Sequence, residues 1–177
     1  LTLAQIVLNE PVPNFQLQAL KEAGFEELAK LCYLERQAHA HIPHYVRHSE
    51  IHFQSMELFS DVELGSILEE TYIGSLDCPN LHGVRHIEDI IEGHRMTSPY
   101  RPAFWFIGSV DRTPACVLLL NPNGHDLELA YVGVVPSQRE RGIAHSCLAK
   151  TIEIAQHDEF QRITLVVDKA NDPANKL

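Results

Sequence analysis

The segment Val134-Val135-Pro136-Ser137-Gln138-Arg139-Glu140-Arg141-Gly142-Ile143-Ala144 gathers residue types that hold an anion. The first N–H groups of a helix lack partners, and the helix dipole is positive there. Gly142 and Ala144 are small, so backbone at these positions can approach a phosphate closely. Arg139 and Arg141 add full positive charge. Together these features make a pyrophosphate cradle that needs no metal. The same residues also suit an ordinary strand–helix connection with a solvated charge run, and local chemistry leaves both open. No glycine precedes Lys-Ser/Thr here, so the segment is not a Walker loop. Nor does it read G-x-G-x-x-G, which disfavours a dinucleotide.

Such a cradle requires a strand before it and a helix after it. Residues 127–135 read as that strand. The stripe Cys147, Leu148, Thr151, Ile152 and Ala155 marks the helix, and residues 163–167 a further strand. This strand–helix–strand unit is expected to be parallel and right-handed. Strands are also expected at 103–110 and 114–120, with turns at Asp111-Arg112-Thr113 and Asn121-Pro122-Asn123-Gly124. Upstream, Ser60 and Glu63 have capping-box spacing ahead of Leu64, Ile67, Leu68 and Thr71. Gly74 ends that helix, and Asp77-Cys78-Pro79-Asn80 forms a turn. Val84, Ile87, Ile90 and Ile91 mark a second helix ending near Gly93, and Pro99 and Pro102 break the chain's regularity beyond it. Near the start, residues 2–8 read as a short buried strand. Asn14 heads a helix to Ala23 with Leu17, Leu20 and Ala23 on one face, and Gly24 stops it. Residues 28–35 read as a strand, and 37–52 as a His-rich stretch without regular structure. The order implies an α/β domain with a mixed sheet.

Composition narrows the partners. With 14 Lys+Arg against 24 Asp+Glu the net charge is −10, a poor match for nucleic acid or an anionic membrane. No apolar run approaches the roughly 20 residues that span a bilayer. Cys32, Cys78, Cys116 and Cys147 form no CxxC and read as reduced core thiols of a cytoplasmic protein. His39, His41, His44, His48 and His52, with His82 and His86, invite a metal. Without Cys or carboxylates at zinc spacing they read as solvated histidines, and no metal is expected. Cys147 lies on its helix's apolar stripe and reads as packed. Trp105-Phe106 reads as sheet core, or as a wall of an acceptor pocket.

Arg139-Glu140-Arg141-Gly142-Ile143-Ala144 resembles the Arg/Gln-x-x-Gly-x-Gly/Ala signature of the GNAT (GCN5-related) N-acetyltransferases. It follows a Val-Gly-Val-Val-Pro strand end, where that family has it. Downstream, Val167-Asp168-x-x-Asn171-x-x-Ala174-x-x-Leu177 is similar to the family's second strand-end element. The resemblance covers about residues 60–177. It implies a mostly antiparallel sheet flanked by helices, with a splayed parallel strand pair that receives acetyl-CoA. By that resemblance Val134 and Val135 pair with pantetheine. Arg139, Glu140, Arg141, Gly142, Ile143 and Ala144 hold the pyrophosphate, and Asn171 and Ala174 contact the cosubstrate from the second strand end. Glu128 matches the place of a general base, with Asp126 as its backup; a solvent-facing strand residue is the plainer reading of Glu128. Tyr131 does not match the family's thiolate-protonating Tyr. The implied activity is N-acetyl transfer to an amine of a small molecule or peptide, in a ternary complex. The alternatives are a non-catalytic acyl-CoA-binding or regulatory module and a supporting half of a tandem protein.

Residues 1–36, with Ala19-Leu20-Lys21-Glu22-Ala23-Gly24-Phe25 and Cys32-Tyr33-Leu34-Glu35-Arg36, resemble the C-terminal portion of a GNAT module. The expected organisation is that portion at 1–36, a linker at 37–59, and an acyl-CoA-binding domain at 60–177 lacking its last helix and strands. Tandem modules, a homodimer, or complementation of the same sheet by the N-terminal segment are the arrangements this suggests.

Overall fold

The computed structural model describes residues 4–41, 50–97 and 99–177. Its strands are β1 (Leu31–Gln37), β2 (His52–Ser55), β3 (Trp105–Val110), β4 (Thr113–Asn123), β5 (Asp126–Val134) and β6 (Arg162–Asp168). Its helices are α1 (Asn14–Glu22), α2 (Asp61–Tyr72), α3 (Ile87–Met96), α4 (Ile143–His157) and the single turn α5 (Asp172–Asn175). The strands form one six-stranded sheet in the order β1-β6-β5-β4-β3-β2, antiparallel except for the β5–β6 pair. The expected mixed sheet and parallel crossover are therefore present.

Strand β4 is buried on both faces, and its alternation divides the core. Leu118 and Leu120 face α4, meeting Ile143, Cys147, Ile152 and Ala155. Val117 and Leu119 face the opposite way, toward Leu64 and Leu68 of α2, Ile91 of α3 and Trp105. Asn121 stays buried because its amide is fully used. It accepts from Trp105 Nε1 at 2.9 Å and donates to the His94 carbonyl at 3.1 Å and Thr97 Oγ1 at 3.0 Å.

One irregularity shapes the sheet. Leu119 pairs with Tyr131, but Leu120 pairs with Leu129, so Ala130 is an extra residue in β5. Such a β-bulge bends its strand and increases the local twist. The parallel pairing with β6 runs only from Asp126↔Arg162 to Leu129↔Leu165 and ends at the bulge. β6 meanwhile keeps its partner β1 along its whole length, from Gln37↔Arg162 to Leu31↔Asp168. β5 thus leaves β6 halfway along, which is the expected splay.

Several sequence expectations are corrected. Residues 4–8 of the expected first strand have no regular structure; Ile6 and Val7 are 50% and 78% exposed. A short apolar run without a partner strand leaves its ladder groups unpaired. Asn14 is the first residue of α1 rather than its cap, and no residue of α1 is fully buried. β1 begins three residues later than expected and runs on to Gln37. Within 37–59, β2 pairs with β3, and Met56 of the following 3-10 turn is buried; residues 42–49 lie outside the described set. Gly93 does not stop α3, which runs to Met96. β4 passes through Asn121-Pro122-Asn123, leaving Gly124 and His125 as the turn. The β3 pairing stops at Trp105↔Leu119, so Pro122 sits where β4 is an edge on that side.

The capping box of α2 is formed. The Ser60 N–H donates to Glu63 Oε2 at 2.8 Å, and the Glu63 N–H donates to Ser60 Oγ at 3.3 Å. Ser60→Ala removes the second bond, and about 1 kcal/mol of stability should be lost. Urea unfolding checks this as a lowered midpoint with an unchanged slope.

Candidate active site

The loop between β5 and α4 turns on two left-handed residues, Glu140 (φ 60°) and Gly142 (φ 79°). Glycine is the residue that adopts this conformation without a Cβ penalty. Gly142 occupies the N-cap of α4 and supplies no side-chain oxygen. The N–H groups of Ile143 and Ala144 therefore open the helix without a capping side chain. The Ile143 side chain is buried in the core and fixes where this helix end points.

The two arginines divide their roles. Arg141 is exposed, with Nη1 donating to Gln138 Oε1 at 2.5 Å. Arg139 turns back instead. Its Nη2 donates to the carbonyls of Thr71 (3.0 Å) and Ile73 (2.7 Å), Nη1 to that of Gly74 (3.3 Å), and Nε to that of Val134 (3.1 Å). The first three are carbonyls that the end of α2 leaves unpaired. Arg139 thus fastens α2 to the loop, with four of its N–H donors on protein carbonyls.

The splay exposes backbone groups selectively. The Val135 N–H donates to the Ala115 carbonyl at 2.9 Å and so belongs to the β4 ladder. Antiparallel alternation then turns the polar backbone of Val134 and Val132 toward the β6 side, where β6 no longer pairs. The second motif follows β6. Asn171 caps α5, its Oδ1 accepting from the Ala174 N–H at 3.3 Å. Because β5 and β6 are parallel, the 139–144 loop and the 171–174 turn lie at the same, carboxyl end of the sheet.

Glu128 is half-buried on β5, between Asn121 of β4 and Thr164 of β6. Desolvation holds its carboxyl above the usual carboxylate range. Asp126 is engaged elsewhere: its two oxygens accept from Arg162 Nε at 3.0 Å and Nη2 at 2.7 Å. Cys147 is fully buried with its Sγ 3.5 Å from that of Cys116, and this contact and burial raise its thiol pKa. Among the described residues, no group of three or more His, Cys, Asp or Glu gathers for a metal ion. No helix there is long and apolar enough to cross a membrane.

A cavity of about 260 Å³ opens between α2, the 77–87 segment, α3 and β5. Tyr72, Tyr131, His82 and His94 line it, with Glu69, Asp77 and Arg85. Its rings form a continuous chain. His82 stacks on Tyr72 at 5.7 Å, Tyr72 meets Tyr131 edge-on at 5.7 Å, and His94 lies 5.9 Å from Tyr131. The Thr71 hydroxyl donates to the Leu68 carbonyl at 2.7 Å, so its contact with the Tyr131 hydroxyl, also 2.7 Å, must be donated by tyrosine. The Tyr131 oxygen then offers the cavity only lone pairs. Burial pushes Tyr72 up to about 12 and Tyr131 further. Gly133 leaves room for this contact, because a Cβ there would lie 2.7 Å from Thr71 Oγ1. Glu128 does not line this cavity.

Strict alternation along β5 hides Tyr131. It would share a face with Leu127 and Leu129, which pack toward α4. The bulge at Ala130 reverses the alternation and puts Tyr131 on the α2/α3 face. The aromatic spacing upstream carries no motif.

Burial, assisted by Arg85, lowers the His94 imidazole to about 4. An unfolded histidine titrates near about 6.5, so between these values the unfolded state binds a proton that the folded state refuses. Stability from this site is complete above about 6.5 and is lost as pH falls toward 4, on the order of 3 kcal/mol. Urea unfolding at about pH 7.5 and 4.5 should show a smaller pH-dependent loss in His94→Gln than in the wild type.

Comparison with known proteins fits this geometry. The profile of the acetyltransferase (GNAT) family matches residues 68–177, more than half of the chain. No curated protein gives a significant match. Among solved structures, a GCN5-related N-acetyltransferase from Sphaerobacter thermophilus superposes with a TM-score of 0.64 at 14% identity. That alignment covers 88% of this chain and 47% of the other, so the chain spans about half of that relative's length. Ard1 from Thermoplasma volcanium gives 0.55 at 13% identity, over 72% of this chain and 78% of that one. The GCN5-related glucosamine N-acetyltransferase region of a fungal multi-domain GH3 β-N-acetylglucosaminidase gives 0.62 at 12% identity, over 95% and 22%. At these identities the structures testify to the fold, and the family match spans the splayed strands and both strand-end motifs: this chain belongs to the GNAT acetyltransferase family.

Proposed function

We propose that the protein is an N-acetyltransferase that moves an acetyl group from acetyl-CoA to an amine in a ternary complex. One observation carries this reading: β5 leaves β6 at the Ala130 bulge, directly ahead of an uncapped helix start reached through Gly142. Acetyl-CoA supplies a thioester whose carbonyl carbon accepts the nucleophile. The residues fit its parts. The polar backbone of Val132 and the Val134 N–H in the opened gap suit an amide-bearing arm. The N–H groups of Ile143 and Ala144, with exposed Arg141, suit a pyrophosphate. Arg139 holds the loop in place through α2, and Val135 packs behind the strand. Glu140 shapes the loop by its left-handed backbone. Asn171 and Ala174 border the same end from β6.

The acceptor must lose a proton before it can attack. In this reading Glu128, on β5 outside the cavity wall, takes it through one intervening water, leaving a neutral amine. A C–N bond then forms as the C–S bond breaks, and the remaining ammonium proton passes to the departing sulfur. The acceptor is a small-molecule or peptide amine. The reading also places the protein in the cytoplasm and takes residues 1–36 as the C-terminal portion of a GNAT-like module, in tandem or in a homodimer. The full-length pairing of β1 with β6 favours the third arrangement, in which this N-terminal segment complements the sheet of the same module. A second reading is a non-catalytic acyl-CoA-binding module. The absence of Glu128 from the cavity wall favours it.

Two measurements test these statements. Calorimetry should detect acetyl-CoA binding, and Gly142→Val should weaken it about tenfold or more, since a β-branched residue resists positive φ. Absence of binding at millimolar acetyl-CoA would remove both readings. Glu128→Gln should retain binding and lower kcat about 100-fold or more. The wild-type acidic limb of kcat should lie above the usual carboxylate range, because the base works only when ionised and desolvation raises its pKa, and the variant should lose that limb.

A further inference from the structure

We propose that the acceptor is a small amino acid, bound as a zwitterion in the cavity between α2, α3 and β5, with Arg85 receiving its carboxylate. This rests on the N-acetyltransferase reading and adds the substrate class. A volume of about 260 Å³ lies just below the roughly 300–1,000 Å³ of sites for drug-sized ligands, so the occupant is small.

The wall carries charges of both signs. Arg85 is exposed, lines the cavity, and forms no ion pair with a described residue. Its charge nevertheless reaches inward, acting on Tyr72, Cys78 and His94. A guanidinium open to a cavity with no other lining Lys or Arg suits a carboxylate, which it can hold through two parallel N–H bonds. His82 and His94 line the wall as well, and burial keeps His94 neutral at physiological pH.

The ammonium end has its own partners. Glu69 and Asp77 line the same cavity. One Asp77 oxygen accepts the Asp168 N–H at 3.3 Å, which leaves the other to a ligand. The Tyr72 and Tyr131 rings, 5.7 Å apart and edge-on, give a cation π-faces. The Tyr131 oxygen, its proton held by Thr71, can only accept a hydrogen bond, and an ammonium has protons to donate. Tyr131 also adjoins the bulge where β5 parts from β6, so an amine held there lies at the head of the gap assigned to the thioester arm.

The experiment compares leucine with leucinamide and glucosamine as acceptors, by thiol release. Removing the carboxylate lowers the amine pKa, so intrinsic reactivity near neutral pH favours the amide and opposes the expected result. Wild-type kcat/KM should favour leucine over leucinamide about tenfold or more. Arg85→Gln should erase that preference by raising KM for leucine alone, and Arg85→Lys should restore part of it. Equal use of leucinamide or glucosamine by the wild type, or equal loss for both acceptors in Arg85→Gln, overturns the proposal while leaving the transferase reading intact. Calorimetry of leucine with CoA-saturated protein gives a readout apart from turnover. Leucine binding that Arg85→Gln abolishes, with no thiol release from any acceptor, sustains the zwitterion site and overturns the transferase reading. No leucine binding by the wild type overturns the site.

Discussion

The extra residue at Ala130 is the constraint on which the rest depends. A regular β5 would continue its parallel ladder with β6, and no gap would open between them. The bulge ends that ladder after Leu129↔Leu165 and bends the strand away. It also reverses which face each side chain takes. Before it, Glu128 and Ala130 face α2 and α3; after it, Tyr131, Gly133 and Val135 do. One inserted residue therefore does two things: it turns the backbone of Val132 and the Val134 N–H away from any strand partner and adds a phenol to the cavity wall.

A bent strand needs something to hold its far end, and Arg139 supplies it. Its guanidinium binds the Val134 carbonyl and three carbonyls at the end of α2. The loop that opens α4 is thereby fixed to the helix that floors the cavity. α2 is held at its other end by the Ser60–Glu63 capping box. Thr71, in the last turn of α2, then orients Tyr131. The donor side and the acceptor side thus share one helix, and a shift of α2 would move both.

Much of this was legible in the sequence, for reasons that differ by element. Helices α2 and α4 carry periodic apolar stripes, and most of the residues the spacing marks are buried. The loop was legible because backbone recognition demands glycine and a helix start, which leave a pattern in sequence. The misassignments are equally physical. Residues 4–8 look like a strand but have no partner, and β2 is four residues of mixed polarity that only its pairing with β3 defines. Asn121-Pro122-Asn123 reads as a turn because Asn and Pro favour turns. It stays a strand because Trp105, His94 and Thr97 satisfy the buried amide of Asn121. The sequence shows Arg139 as a positive charge in the loop, and only the packing of α2 shows the four carbonyls that it binds.

The bulge is the deepest of these limits, since no residue type announces it. Alternation assigns Tyr131 to the α4 face, and only the register shift moves it. This explains an asymmetry between the two halves of the site. In the proposed reading the donor half is made of main-chain groups on β5 and α4, and main-chain recognition constrains sequence to a short pattern. The acceptor half is made of side chains from α2, the 77–87 segment, α3 and β5, brought together by tertiary packing alone. Arg85, exposed and in no ion pair with a described residue, has no structural duty there that would fix it. In the proposed reading, acceptor choice is therefore set on side chains gathered by tertiary packing, on a wall anchored by the phenol that the bulge turned inward.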